Sequence, residues 1–369
     1  MMNDYGRDAD SVIAYAIQGI QPLDRTAIRE AETRQKNLVK PMGSLGQLED
    51  MAIRISGITG VVRNTLEHKK IFLFGADNGV YEEGISGSPQ VLTGSLMELY
   101  ANKGGGCIDT LCEKTGVGLS LFDLGVKGLA PGRGIDSSHK LMPNGTGNIL
   151  HGRAMPLPVT REIIAFGIDL VREAVDCGIQ VVGTGEVGMG NTTTATACIM
   201  ACVDSRDPRL IGRGGGLKDE GFKRKKKVIA EALDFHHLSK DSSPVEILSC
   251  VGGLDIAAMC GVFLGAALYR IPAVVDGVIS IAAALLAVRL APFTQGYLFL
   301  SHASHEPAYQ AAAKELDLQP VLQLDMRLGE GSGCPLAMEL LEDALYLMNH
   351  MAVFSETTMD EGYREGLRF

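Results

Sequence analysis

The chain has no tryptophan, no cysteine pair at C-x-x-C spacing and no apolar run free of charge and proline that could span a bilayer. Charged residues are only 21% of its 369 positions, while glycine reaches 45. So little charge with so much glycine argues against a disordered or coiled-coil protein and predicts a tightly packed α/β enzyme. The eight cysteines sit mostly among apolar residues, and they read as reduced, buried thiols rather than a disulfide framework. The opening "MMNDYGRDAD" is acidic and lacks the basic start of a signal peptide, so a cytoplasmic protein is expected. The longest apolar zone, "AVVDGVISIAAALLAVRLAPF", is interrupted by Asp276 and Arg289 and stopped at Pro292. It predicts a buried strand followed by a buried helix, not a membrane span. Cations are in the minority, 34 against 44 anions, for a net charge of −10. The basic run from Lys223 to Lys227 has no interleaved aromatics, so neither nucleic acid nor a membrane is an expected partner.

What is present alternates. "KKIFLFGADNGV", "LSLFDLGV", "IQVVGTGE", "IPAVVDGV", "GYLFLSHAS" and "PVLQLDMRLGEGSG" are short apolar runs that end in small or polar residues. Helical segments such as "PQVLTGSLMELYANKG" and "SCVGGLDIAAMCGVFLGAALYR" lie between them. This grammar predicts a mainly parallel, Rossmann-like sheet with helices on both faces. Three spans follow: N-terminal helices over 1–66, an α/β domain over 67–334, and a C-terminal helix with a polar, mobile tail over 335–369. The first and last are expected to form a small helical domain. In "DRTAIREAETRQKNLVKP" the helix is expected to run up to Pro41. Ligands bind beyond the carboxyl ends of such strands. The residues there are mostly acidic: Asp77, Asp123, Glu186, Asp276 and Glu330. That suits a site handling hydroxyls and protons.

"GTGEVGMGNTTTATA" matches G-x-G-x-x-G but carries Glu186 in its middle. A dinucleotide fold needs a helix, a second strand and then an acid about 20 residues on; Asp204 stands there, but both elements do not fit in the space. A single-phosphate site fits better. Gly188 and Gly190 would let backbone approach the ligand, and Asn191 to Thr194 would supply a cap and free amides at a helix start. A capped strand-to-helix turn with a buried glutamate is the other open reading. One lysine of the 223–227 run turned inward would serve a phosphate. His302 and His305 in "SHASHEP" have no third ligand at fixed spacing, so no metal site is expected. Glu330, between glycines in "RLGEGSG", would be exposed to a flat ligand.

Together "KPMGSLGQLE", "GADNGVYEEGISGSPQVLT", "GTGEVGMGNTTTATA", "VVDGVISIAAALLA", "SHASHEP" and "MRLGEGSGCPLAMELL" resemble the nicotinate-nucleotide–dimethylbenzimidazole phosphoribosyltransferase family, over residues 36 to 355. The resemblance implies a homodimer that needs no cofactor or metal. It implies transfer of the phosphoribosyl group of nicotinate mononucleotide to a benzimidazole-type base. It makes Glu330 the general base and sets Glu186 near the ribose. It places the phosphate against Gly188, Gly190, Asn191 and Thr192, helped by Lys225 and Ser304, and Gln90 at the edge of the base pocket. It adds Asp276, Gly277, Arg327 and Gly329 to the substrate-binding set. Where family members have Asp-His-Gly, this chain has Asp77-Asn78-Gly79, which would alter acceptor preference if that position faces the base. A NAD-dependent oxidoreductase and a non-catalytic nucleotide sensor are the rival readings.

Overall fold

The computed structural model describes residues 8–359 and residue 362. The tail read as mobile lies outside the described residues from 360 on, residue 362 apart. At the centre is a seven-stranded sheet: β1 (Lys69–Ala76), β2 (Gly118–Gly125), β3 (Ile135–Asp136), β4 (Val181–Val187), β5 (Ala273–Val275), β6 (Leu298–His302) and β7 (Pro320–Leu322). Their order is β3-β2-β1-β4-β5-β6-β7, and every pairing is parallel. All six apolar runs became strands. The two-residue edge strand β3 went unread, because two residues carry no periodicity. β1 and β4 are buried almost throughout, which is why their sequences are continuous apolar runs rather than alternating ones.

Strand order reverses between β1 and β4, which pair from Lys69↔Val181 to Gly75↔Val187. The loops leaving these two strands diverge, and a crevice opens at their carboxyl ends. The zone "AVVDGVISIAAALLAVRL" is β5 followed by the buried helix Val278–Leu290, as expected. Among the described residues no helix is long and apolar enough to cross a membrane.

Two helical expectations need correction. The segment from Ser249 to Arg270 is two helices, Pro244–Val251 and Leu254–Leu268, parted at Gly252 and Gly253. The helix Arg25–Asn37, capped by Asp24, ends short of Pro41. Leu38 turns extended there and bridges Val353, while Arg34 donates to the carbonyl of Met348 at 2.7 Å. These contacts tie the N-terminal helices to the end of the long helix Gly333–His350, whose buried face also lies on β4, β5 and β6.

Candidate active site

A cleft of about 240 Å³ opens at the β1/β4 crevice. Ile85, Leu92, Leu96, Ile279 and Leu328 give it apolar walls suited to a flat ring. Ser86, Ser88, Glu186, Asn191, Thr192, Arg213 and Glu330 supply its polar groups. None of the apolar residues carried a chemical signal in the sequence; each is an ordinary helix or loop residue until the fold turns it inward.

Glu186 and Glu330, 144 positions apart, meet here: the Glu330 amide donates to Glu186 Oε1 at 3.3 Å. Glu186 is the second-last residue of β4, and its other oxygen accepts from the side-chain amide of Asn191. Asn191 therefore does not cap its helix as expected. Gly190, at φ +94°, is the N-cap residue of the helix Asn191–Cys202, and the Asn191 amide turns back to the glutamate instead. Burial pushes the Glu186 carboxyl well above its ordinary range, the charges of Asp255, Asp276 and Glu330 add to this, and the Glu330 amide opposes it. Burial also raises Glu330; the Tyr100 hydroxyl opposes that, and Asp109 adds to it.

Glu330 stands in left-handed backbone. Gly329, Glu330 and Gly331 have φ of 83°, 63° and 80°. The turn is held from below by Asp276, which accepts from the amides of Gly331 at 3.0 Å and Gly333 at 2.8 Å. It is also closed by the Ser332 hydroxyl, which donates to the Gly329 carbonyl at 2.7 Å. Asp276 is 2% exposed, and its carboxyl is pushed up to about 7 by burial against those amides. It braces the Glu330 turn from inside rather than lining the cleft. Gly277 follows as the N-cap of Val278–Leu290, and a side chain there would meet open space.

The same holds for the other strand-end acids. Asp77 accepts from Thr93 Oγ1 and the Lys127 amide; Asp123 accepts from the amides of Gly125 and Val126 and from Lys140 Nζ. So most of the acids that suggested a proton-handling site are internal braces, and only Glu186 and Glu330 face the cleft. The glycines of the loop also have structural reasons. A Cβ on Gly188 would lie 2.0 Å from the Ala76 carbonyl oxygen, and Gly190 needs its positive φ.

One lysine of the basic run does turn inward. Lys225 is fully buried, and its Nζ donates to Thr192 Oγ1 at 2.9 Å. Burial lowers its pKa to about 8, against the nearby charge of Glu306. It stands behind the loop rather than in the cleft wall. Arg213 lines the cleft, held by the Leu217 carbonyl and Asp219. Ser304 is buried beside the Glu306 amide, outside the cleft wall. Gln90 and the exposed Arg327 also fall outside the lining set, although their neighbours Ser88, Leu92 and Leu328 belong to it. Gly329 sits against Glu186, where a Cβ would lie 2.8 Å from Oε1.

His302 is buried and held neutral, its pKa lowered to about 4 by burial, while His305 is exposed, so the two do not converge. Among the described residues no cluster of His, Cys, Asp and Glu suits a metal. Asn78 is fully buried beneath the glycine loop, 3.3 Å from where a Gly188 Cβ would be, and does not line the cleft. A direct effect of Asn78 on the acceptor is therefore not favoured. Asp255 was missed. It stands in the first turn of the helix Leu254–Leu268 and is wholly buried, with its carboxyl pushed up to about 6 by burial. The signal was the Gly252-Gly253 break just before it.

Residues 20–359 match the family described as Phosphoribosyltransferase. A nicotinate-nucleotide–dimethylbenzimidazole phosphoribosyltransferase of Clostridium perfringens is 42% identical over 95% of this chain and 96% of its own length. One from Chloroflexus aurantiacus is 39% identical over 95% and 99%. The solved CobT of Thermus thermophilus superposes with a TM-score of 0.86 at 34% identity, covering 91% of this chain and all of the other. The chain belongs to the nicotinate-nucleotide–dimethylbenzimidazole phosphoribosyltransferase family.

Proposed function

We propose that this enzyme transfers the phosphoribosyl group of nicotinate mononucleotide to 5,6-dimethylbenzimidazole or a related base. The products are α-ribazole 5′-phosphate, for the lower ligand of cobalamin, and nicotinate. The observation that carries the reading is the meeting of Glu186 and Glu330 in one apolar-walled cleft at a helix N-terminus.

The donor brings its own leaving group. Its nicotinate is a pyridinium, so when the C1′–N bond breaks the electron pair neutralises the ring nitrogen. The acceptor nitrogen forms the new bond to C1′ from the opposite face, which turns a β-nucleotide into an α-riboside. The proton on the acceptor's other nitrogen passes to Glu330, a step worth about 10²–10⁴ in rate. Glu186 takes the ribose; the cationic pyridinium of the bound donor favours its ionised form, which then faces the positive charge that develops at C1′. The phosphate lies against Gly188 to Thr192, where helix amides and the Lys225 charge behind Thr192 favour an anion. Holding the two rings on opposite faces of C1′ supplies a further large share.

The direct test incubates purified protein with nicotinate mononucleotide and a panel of bases, and separates the products by mass. Base-dependent release of nicotinate, unchanged by chelator, is expected. A strict requirement for divalent metal, or hydride transfer with NAD, would overturn the reading. A homodimer is part of the proposal, checked by a light-scattering mass near twice 39.3 kDa. The eight cysteines are all unpaired, which suits a cytoplasmic home.

A further inference from the structure

The helix Leu92–Ala101 turns Leu92 and Leu96 into the cleft. Tyr100 is the next residue at i+4 spacing on the same stripe, so it continues that wall inward. It is 2% exposed, its hydroxyl is buried with no hydrogen bond completed, and the Glu330 carboxylate is near enough for its charge to act on it. Asp109, on the helix Cys107–Thr115, lies near the same ring. Gly106 packs against both: a Cβ there would stand 2.4 Å from Tyr100 Cε1 and 2.7 Å from Asp109 Oδ1. One Asp109 oxygen accepts from the Gly105 amide at 3.2 Å; the other is buried without a partner. Tyr100 and Asp109 also line a second cavity, of about 340 Å³.

Buried, unpaired polar atoms are rare and costly, and here two cluster beside the residue read as the base. Contacts of this kind are often loose without substrate and tighten in the complex. We propose that Tyr100 is a positioning residue for Glu330: its hydroxyl donates to the Glu330 carboxylate and holds it toward the acceptor, with Asp109 as an opposing negative charge nearby. The proposal rests on Glu330 being the general base.

The groups facing Glu330 are Tyr100, Asp109 and Cys107, Glu186 from β4, and Asp276 after β5. A hydroxyl that donates to the ionised carboxylate favours it; a neighbouring anion disfavours it. The two variants should therefore move the pH profile in opposite directions. The measurement is kcat/KM for the benzimidazole against pH, at saturating mononucleotide. Tyr100→Phe keeps the ring and should move the ascending limb up by about 1 pH unit, lowering the rate below that limb about tenfold. The KM for the mononucleotide should be unchanged. Asp109→Asn should move the limb down, and it carries the test alone if Tyr100→Phe fails to fold. A Tyr100→Phe profile that superimposes on wild type, or two variants that shift the same way, would overturn the proposal. Glu330→Gln separates the two failures. Wild-type turnover in that variant removes the base itself. An impaired Glu330→Gln beside an unshifted Tyr100→Phe removes only the role of Tyr100.

Discussion

Glu330 is the only residue of its turn that is not free to adopt left-handed backbone at no cost, since Gly329 and Gly331 flank it there. A side chain held in that region costs on the order of 1–3 kcal/mol and persists only where its surroundings over-determine it. Asp276 and Ser332 supply that hold. Glu330→Gln keeps the shape and loses the base, so turnover should fall about 10²-fold or more with mononucleotide affinity nearly kept. Wild-type turnover of benzimidazoles, with chemistry shown to be rate-limiting, would remove Glu330 from the mechanism. Glu186 makes a different prediction. Its carboxyl is raised in the fold by burial and by neighbouring acids, so the folded protein holds a proton that the unfolded chain has released. By linkage, that favours the fold least as pH climbs above the ordinary carboxylate range. The melting temperature of the empty enzyme should therefore drop from pH 5 to pH 8. Asp276 and Asp255, also raised by burial, slope the same way, so Glu186→Gln should lessen the drop while lowering the rate and weakening the mononucleotide. A variant that melts with the wild-type pH dependence would show that Glu186 is not the group carrying the proton. At this scale both glutamates were legible as cleft residues, because each interrupts a glycine-rich stretch. The braces were not: in sequence, Asp276 is as much a strand-end acid as Glu186, and only burial separates them.

The turn carrying Glu330 lies directly on β4, and glycines on both sides make that contact possible. A Cβ on Gly185 would stand 2.7 Å from the Glu330 carbonyl oxygen, and one on Gly331 2.9 Å from the Gly185 Cα. Gly185 is an ordinary strand residue, outside the positive-φ set, so alanine there strains only the contact. Gly185→Ala should push the turn off the strand, with about 1–3 kcal/mol of stability lost to overpacking. A displacement near 1 Å can cost about 10²-fold in rate, so kcat should fall far more than mononucleotide affinity. Unchanged kcat in the folded variant would show that the register of turn on strand does not set the chemistry. The glycine loop is a poorer place for such a test. Valine at Gly188 would collide with the Ala76 backbone, and at Gly190 it would meet the positive φ, so loss of binding there would report folding. The strands were readable because burial on both faces leaves an unbroken apolar run. The break at Gly252-Gly253 was harder to read, because a glycine pair inside an apolar helix pattern is also tolerated as continuous helix.

At the scale of the whole molecule, strand order decides what the glycine loop can bind. The motif alone is shared with dinucleotide folds, where the next strand brings an acid to the ribose. Here the loop follows β4, and the chain runs through four helices, Asn191–Cys202, Asp219–Phe235, Pro244–Val251 and Leu254–Leu268, before β5 begins at Ala273. Asp204, at the expected sequence distance, lies just past the far end of the first of these, with φ 50°. An α-helix rises 1.5 Å per residue, so its 12 residues carry Asp204 roughly 18 Å from the loop. No ribose held at Asn191 reaches it. The carboxylate that is within reach of a sugar there is Glu186, on the same strand as the loop, with Glu330 brought across from beyond β7. On the proposed reading the cleft takes one phosphate and one ribose, and the loop brings no second acid to a dinucleotide. Thermal melts make this testable without turnover. A ligand that binds only the native state at 100 times its Kd adds about 2.7 kcal/mol. Nicotinate mononucleotide should raise the melting temperature by a few degrees, and the Glu186→Gln variant should show a smaller rise. NAD at equal concentration should leave the melt where it was. A larger shift with NAD than with the mononucleotide would mean that the loop is read by a dinucleotide after all, and that the acid it uses is not Asp204.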